Sequence, residues 1–172
     1  LIFLGLLQDE GFVPEGQPSA LACVPLFHVT GEVPLLLQSY LSGRKLAIMP
    51  KWEAREAMRL IEAERIGFFI GVPLMSYEIA SHPERGNFDL SSCVIFAAGG
   101  APRPVEHVAR IREAMPQGFP ALGYGLTETN GAGCANLSEN YLAKPGSTGP
   151  ANRPITEIAV FGEDGEPVPP GE

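Results

Sequence analysis

The chain has 172 residues, 45% of them hydrophobic, with a formal charge of −8 and a pI near 4.9. That length suits one domain or a section of a larger one with a real core, and an acidic balance without any Lys/Arg-rich run argues against a nucleic-acid or anionic-membrane surface. The 20 glycines and 17 prolines imply many connections made by turns with fixed dihedrals.

Leu1-Ile2-Phe3-Leu4-Gly5-Leu6-Leu7 is apolar but lacks a basic flank and a small-residue cleavage site, and no stretch reaches membrane-spanning length. A cytoplasmic protein is therefore expected. The start inside a helix-like pattern and the stop at Pro169-Pro170-Gly171-Glu172 read as an excised domain. Short apolar runs bounded by Gly, Pro and polar residues then recur at Ala20 to Leu26, Lys45 to Met49, Phe68 to Val72, Val94 to Ala98 and Phe119 to Leu122, and these predict buried strands. Between them lie helical patterns. In Glu53 to Arg65, residues Ala54, Ala57, Met58 and Ile61 fall on one face. A helix opening at Pro102 or Pro104 carries Val105, Val108, Ile111 and Met115, and Pro34 to Leu41 and Leu74 to Ser81 are shorter candidates. Such alternation predicts an α/β fold with right-handed crossovers, a mostly parallel sheet flanked by helices and ligands at the strands' carboxyl ends. After Asn130 a loop rich in Gly, Asn, Ser and Pro leads to an alternating strand, Glu157 to Phe161, and a turn at Glu163-Asp164-Gly165-Glu166. The predicted division is a central α/β unit over 1–150 and the start of a small antiparallel β piece over 151–172.

Cys23, Cys93 and Cys134 are odd in number and lack Cys-x-x-Cys spacing, so they read as buried reduced thiols rather than a zinc or disulfide framework. Three polar clusters follow predicted strands and so share one rim of the sheet. The first, Pro25-Leu26-Phe27-His28-Val29-Thr30-Gly31, offers His28 either to orient a carboxylate or as a loop histidine bonded to backbone. His82 and His107 have no assigned role. The second is Ala97-Ala98-Gly99-Gly100-Ala101-Pro102. It is either a tight connection or a surface on which a flat ring can lie, with helix-start N–H groups for anionic oxygens. The third, Gly123-Tyr124-Gly125-Leu126-Thr127-Glu128-Thr129-Asn130, sets an aromatic ring, hydroxyls and a carboxylate between glycines. These are groups suited to a base, a phosphate and Mg²⁺, although an ordinary strand-to-loop turn has the same form. No P-loop, dinucleotide fingerprint or Gly-x-Ser-x-Gly elbow is present. Leu35 to Leu37, Phe68, Phe69 and Phe96 supply apolar bulk for an acid pocket, but core packing is the favoured reading of them.

Taken in order, Pro25-Leu26-Phe27-His28, Gly99-Gly100-Ala101-Pro102, Gly123-Tyr124-Gly125-Leu126-Thr127-Glu128 and Gly146-Ser147-Thr148-Gly149 resemble the adenylate-forming superfamily, which includes acyl-CoA and aryl-CoA synthetases, luciferases and peptide-synthetase adenylation domains. The resemblance implies that a fatty or aromatic acid is activated with ATP and Mg²⁺ to an acyl-adenylate and passed to CoA. It implies that Gly99, Gly100, Ala101 and Pro102 border adenine and the acyl pocket, that Gly123, Tyr124, Gly125 and Leu126 bind the nucleotide with Tyr124 against the base, that Thr127 binds phosphate oxygens, that Glu128 holds Mg²⁺ and that His28 sits near the carboxylate and the pocket mouth. The family's phosphate loop, ribose-binding Asp and catalytic Lys domain fall outside this stretch, so the piece alone is expected to be inactive. Val29 and Arg103 stand where relatives commonly carry a polar and an apolar residue, which bears on the acyl pocket. A non-catalytic nucleotide-binding module and a peptide-synthetase-type adenylation domain are the alternatives.

Overall fold

A computed structural model describes residues 18–169. Six strands form one sheet in the order β2-β1-β3-β4-β5-β6: β1 Ala20–Ala22, β2 Leu46–Ile48, β3 Phe68–Gly71, β4 Ile95–Ala98, β5 Phe119–Gly125 and β6 Gly133–Leu137. The first five are parallel and β6 pairs antiparallel with β5, from Ala121 opposite Leu137 to Gly125 opposite Gly133. The parallel strands are short, near-continuous apolar runs, as expected where helices cover a sheet. All five strands predicted from apolar runs are present.

The helix α1 follows β1 and runs over 29–42, as α at Val29–Gly31, as π at Glu32–Leu37 and as α again at Gln38–Ser42. The candidate over Pro34 to Leu41 thus covers only its middle and end. Pro34 within it has no N–H to donate, which suits the widened π turn, and Arg44 donates Nη2 to the Pro34 carbonyl and Nε to Ser39 Oγ at 2.8 Å. Next come α2 Ala54–Glu64, α3 Pro73–Ser81, α4 Val105–Ala114 and α5 Ser138–Ala143. The Glu53 carboxylate caps α2 by accepting from Arg55 N at 3.0 Å and Glu56 N at 2.5 Å. Pro73 occupies the first turn of α3, where its missing N–H costs nothing. The crossovers through α2, α3 and α4 all advance in the same direction along the sheet, which places these helices on one face, while α1 moves the chain the other way and lies on the opposite face.

The main core joins β1, β3 and β4 to the helices through Leu21, Phe69, Phe96, Met58, Ile61 and Ile111. Phe69 is its centre, with ring centroids 5.4 Å from Phe96 and 6.0 Å from Trp52. Leu35, Phe68, Phe69 and Phe96 are buried there, so core packing accounts for them, whereas Leu36 and Leu37 face solvent. A smaller cluster of Ala98, Val108, Leu122 and Tyr141 seats α4 and α5 on β4 and β5. Cys23, Cys93 and Cys134 are free and buried, as the sequence suggested.

Two expectations after Asn130 need correction. Glu157 to Phe161 does not form a strand; a single bridge joins Phe161 to Pro167 across the turn at Gly162–Glu166, with Gly162 N donating to Glu166 O at 2.9 Å. The stretch rich in Gly, Asn, Ser and Pro instead supplies β6 and α5, and Ala151 adds a bridge to Cys134 on the outer edge of β6. Only the end of the alternating segment is paired: Val168 N donates to Val160 O at 2.9 Å beside the bridge, and the pairing is too short to make a strand.

Candidate functional site

Because the first five strands are parallel, the segments after β1, β3, β4 and β5 all emerge on one rim. The chain reverses its direction across the sheet between β1 and β3, and beyond the carboxyl ends of such strands an open α/β sheet forms its crevice. The Gly99–Pro102 segment follows β4 and the Gly123–Asn130 segment ends and follows β5, side by side: a Cβ added at Gly99 would lie 3.2 Å from the Gly123 carbonyl oxygen. The backbone itself therefore forms one wall of this cleft. Gly100 has φ +76 and is exposed with Ala101 and Pro102, which presents three small or rigid residues at the mouth.

Tyr124 sits on β5 at 48% exposure, its ring open to solvent rather than packed inside. Leu126 ends the extended stretch and a 3-10 turn over Thr127–Thr129 follows. Thr129 builds that turn: its hydroxyl accepts from Leu126 N at 3.1 Å and lies 3.0 Å from Leu126 O and 2.5 Å from Ala132 O, carbonyls to which it can donate. Thr127 and Glu128 are exposed, and their side chains make no hydrogen bond or ion pair among the described residues. A hydroxyl and a carboxylate thus project from a turn that a neighbouring threonine holds in shape. No group of three or more His, Cys, Asp or Glu able to cage a metal occurs among the described residues. A single carboxylate does suit Mg²⁺ carried in on phosphates, since that ion keeps waters and phosphate oxygens and needs only one or two protein oxygens.

His28 lies on the same rim, exposed, at the start of α1. Its Nδ1 accepts from Thr30 N at 3.2 Å, so in the neutral ring the proton resides on Nε2, free to donate to an incoming oxygen. The backbone bond at Nδ1 thus leaves Nε2–H open at the rim. Although β1 and β5 are three strand spacings apart, about 14 Å, the two loops meet: a Cβ on Gly131 would sit 3.5 Å from Val29 Cγ2. The His28 loop and the Thr127–Gly131 loop thereby close the cleft over the ends of β3 and β4.

The fourth segment, Gly146 to Gly149, lies at the margin, where a Cβ on Gly146 would stand 4.0 Å from Val105 Cγ2 at the start of α4. Its placement depends on Asn136, which the sequence reading passed over. Asn136 is fully buried in β6 and donates Nδ2 to Lys144 O at 3.0 Å and to Ser147 O at 2.9 Å, while its Oδ1 accepts from Asn140 Nδ2 at 2.5 Å. A polar residue inside the apolar run Cys134-Ala135-Asn136-Leu137 was the available signal. Arg103, which stands where relatives commonly carry an apolar residue, is buried, with its side chain turned into the interior.

The family model of the AMP-binding enzymes matches residues 4–172. The chain belongs to that family. Among related AMP-binding enzymes, a feruloyl-CoA synthase of an Amycolatopsis species is 34% identical over 155 residues, 89% of this chain and 30% of that protein. A long-chain-fatty-acid–CoA ligase of Bacillus subtilis is 34% identical over 152 residues, 88% of this chain and 27% of that protein. The N-terminal domain of FACL13 from Mycobacterium tuberculosis superposes with a TM-score of 0.80 at 31% identity, covering 89% of this chain and 38% of that one. The chain thus spans about 30% of the length of the curated relatives it matches. Adenylate-forming membership and the mostly parallel α/β fold stand as expected from the motifs.

Proposed function

We propose that this chain forms the nucleotide-facing centre of an ATP-dependent acid–thiol ligase acting on a fatty or aromatic acid in the cytoplasm, with CoA as acceptor, and that the whole reaction requires the remainder of the ligase. In this reading the described chain is the central part of an AMP-binding domain over 1–150, and 151–172 leads into a second, β-rich part. The observation that carries it is the arrangement of the rim: backbone-close Gly99 and Gly123, a half-exposed Tyr124, and unengaged Thr127 and Glu128 on one cleft.

In this proposal Gly99, Gly100, Ala101 and Pro102 border the adenine, Gly123, Gly125 and Leu126 line the nucleotide's path, and Tyr124 offers its flat face. Thr127 donates to phosphate oxygens, and Glu128 holds Mg²⁺, which neutralises charge on the phosphates when bound. The Nε2–H of His28 orients the substrate carboxylate. An oxygen of that carboxylate attacks the α-phosphorus as the bond to the bridging oxygen breaks and pyrophosphate leaves. The CoA thiol then gives up its proton to solvent as its sulfur attacks the acyl carbon, and AMP departs with the electron pair of the acyl C–O bond of the mixed anhydride. Positioning and charge stabilisation supply most of the acceleration in such a displacement.

ATP–pyrophosphate exchange in the intact parent protein with a panel of carboxylic acids tests this reading. Exchange with at least one fatty or aromatic acid is expected, with loss of roughly a hundredfold or more in Glu128→Gln. Absence of exchange with every acid, or full activity in that variant, would overturn it.

A further inference from the structure

Arg103 follows Pro102 at the exit of the Gly99–Pro102 loop, and only 5% of it is exposed. Its Nη1 donates to the Ala121 carbonyl of β5 at 3.3 Å and its Nη2 to Ser76 Oγ of α3 at 3.1 Å, while the guanidinium lies over the Tyr141 ring of α5, 5.7 Å from the centroid. Nε has no hydrogen-bond partner among the described residues. No carboxylate pairs with it; the ion pairs among the described residues use Lys45, Arg55, Arg59, Arg65 and Arg110. Burial pulls the guanidinium below its ordinary range, an effect that Tyr141 opposes.

A buried cation without a counter-ion is a poor stabiliser, because an apolar side chain of similar volume often holds a core as well or better. What the guanidinium supplies instead is direction, since its planar fork fixes several donors at set angles. The two ends of the exposed loop are pinned to the same strand. At the entry Gly99 meets the Gly123 carbonyl, and at the exit Arg103 grips Ala121, two residues earlier on β5. Gly100, Ala101 and Pro102 are the exposed residues between the two clamps.

We propose that Arg103 is a positioning residue for nucleotide binding: by fastening the loop's exit to β5 and α3, it sets the gap between Gly100–Pro102 and Tyr124 that receives the adenine ring. The identity of the ligand rests on the ligase reading above; the clamp is independent of the acid and of its acceptor.

Binding of Mg·ATP to the intact parent protein by titration calorimetry, thermal melting, and KM values for ATP and for the acid in pyrophosphate exchange, compared for wild type, Arg103→Met and Arg103→Lys, decide the matter. The Met variant is expected to melt at the same temperature or higher, yet to bind Mg·ATP at least roughly tenfold more weakly, with a parallel rise in KM for ATP and none for the acid. The Lys variant falls between, having the charge without the fork. Unchanged affinity in the Met variant, or a loss of affinity that merely tracks a fall in melting temperature, overturns the proposal. If wild type binds Mg·ATP but exchanges with no acid, the ligase reading fails while the affinity comparison still decides Arg103; a parent that binds no Mg·ATP overturns both.

Discussion

Asn136→Asp changes one buried atom from a donor group to an oxygen, and the structure sets the consequence. Asn136 Nδ2 gives two hydrogen bonds, to Lys144 O and Ser147 O, from a side chain with no exposed surface. At about 1 kcal/mol for each net hydrogen bond, their loss alone costs about 2 kcal/mol. An ionised carboxylate would then face two carbonyl oxygens without a cation, and a buried unpaired charge raises the total to about 3–5 kcal/mol. Asn136→Leu removes all three of the side chain's bonds without adding charge, and the carbonyls of the exposed Lys144 and Ser147 recover water in part, which gives about 2–3 kcal/mol. Urea unfolding followed by the fluorescence of Trp52, the single tryptophan, reads both variants. The sign with pH is also fixed. Burial among carbonyls raises the new carboxyl's folded-state pKa, so the deficit of the Asp variant is full at neutral pH and shrinks as pH falls through that value, when the proton restores one donor. An Asp variant as stable as wild type at neutral pH, or a deficit that does not change with pH, would refute the account.

His28→Asn retains a side-chain acceptor for Thr30 N and should keep the melting temperature while pyrophosphate exchange falls; His28→Ala should add about 1 kcal/mol of destabilisation for the lost cap, measured by urea titration. Undiminished exchange in the Asn variant would remove His28 from the reaction. Burial pushes the Cys23 thiol up from 9.0 to about 12 and raises Cys93 as well, so mass spectrometry after brief iodoacetamide treatment at about pH 8 should find both unlabelled in the native chain and labelled in urea. Since the fold holds the Cys23 thiol protonated, its contribution to stability is intact below 9.0 and is lost as pH rises towards 12. Phe69→Ala, which opens a cavity between Trp52 and Phe96, should cost about 3–5 kcal/mol in the same unfolding assay, a large share of an ordinary domain's stability.

The parallel part of the fold was legible because each of its strands is an apolar run framed by turn residues, mostly buried in β1, β3 and β4, while Ala57, Met58 and Ile61 recur at the helical period on a side that must face the sheet. The rim residues were legible for the same reason: polar groups placed immediately after such runs have only one edge of the sheet to occupy. What lay beyond Asn130 was not. β6 contains Gly133 and Asn136, residues disfavoured in strands, and forms because β5 offers it an unpaired edge and Asn136 is satisfied by carbonyls from a later segment. Neither partner is visible in the local pattern. At 157–161 the opposite happened: an alternating pattern that meets only the short return 166–168 gave one bridge and two backbone bonds rather than a strand. The inward turn of Arg103 likewise depends on Ser76, Ala121 and Tyr141, which come together only through the fold.

The closeness of Val29 to Gly131, where an added Cβ would lie 3.5 Å from Val29 Cγ2, means that the His28 loop and the Thr127–Glu128 turn are not separate modules. A bulkier residue at position 29, introduced to admit a different acid, pushes first on the bend that carries Thr127 and Glu128. Selection for new acids at this position should therefore bring in compensating changes around Asn130 and Gly131, so that libraries varying both together would recover active enzymes that single-site screens discard.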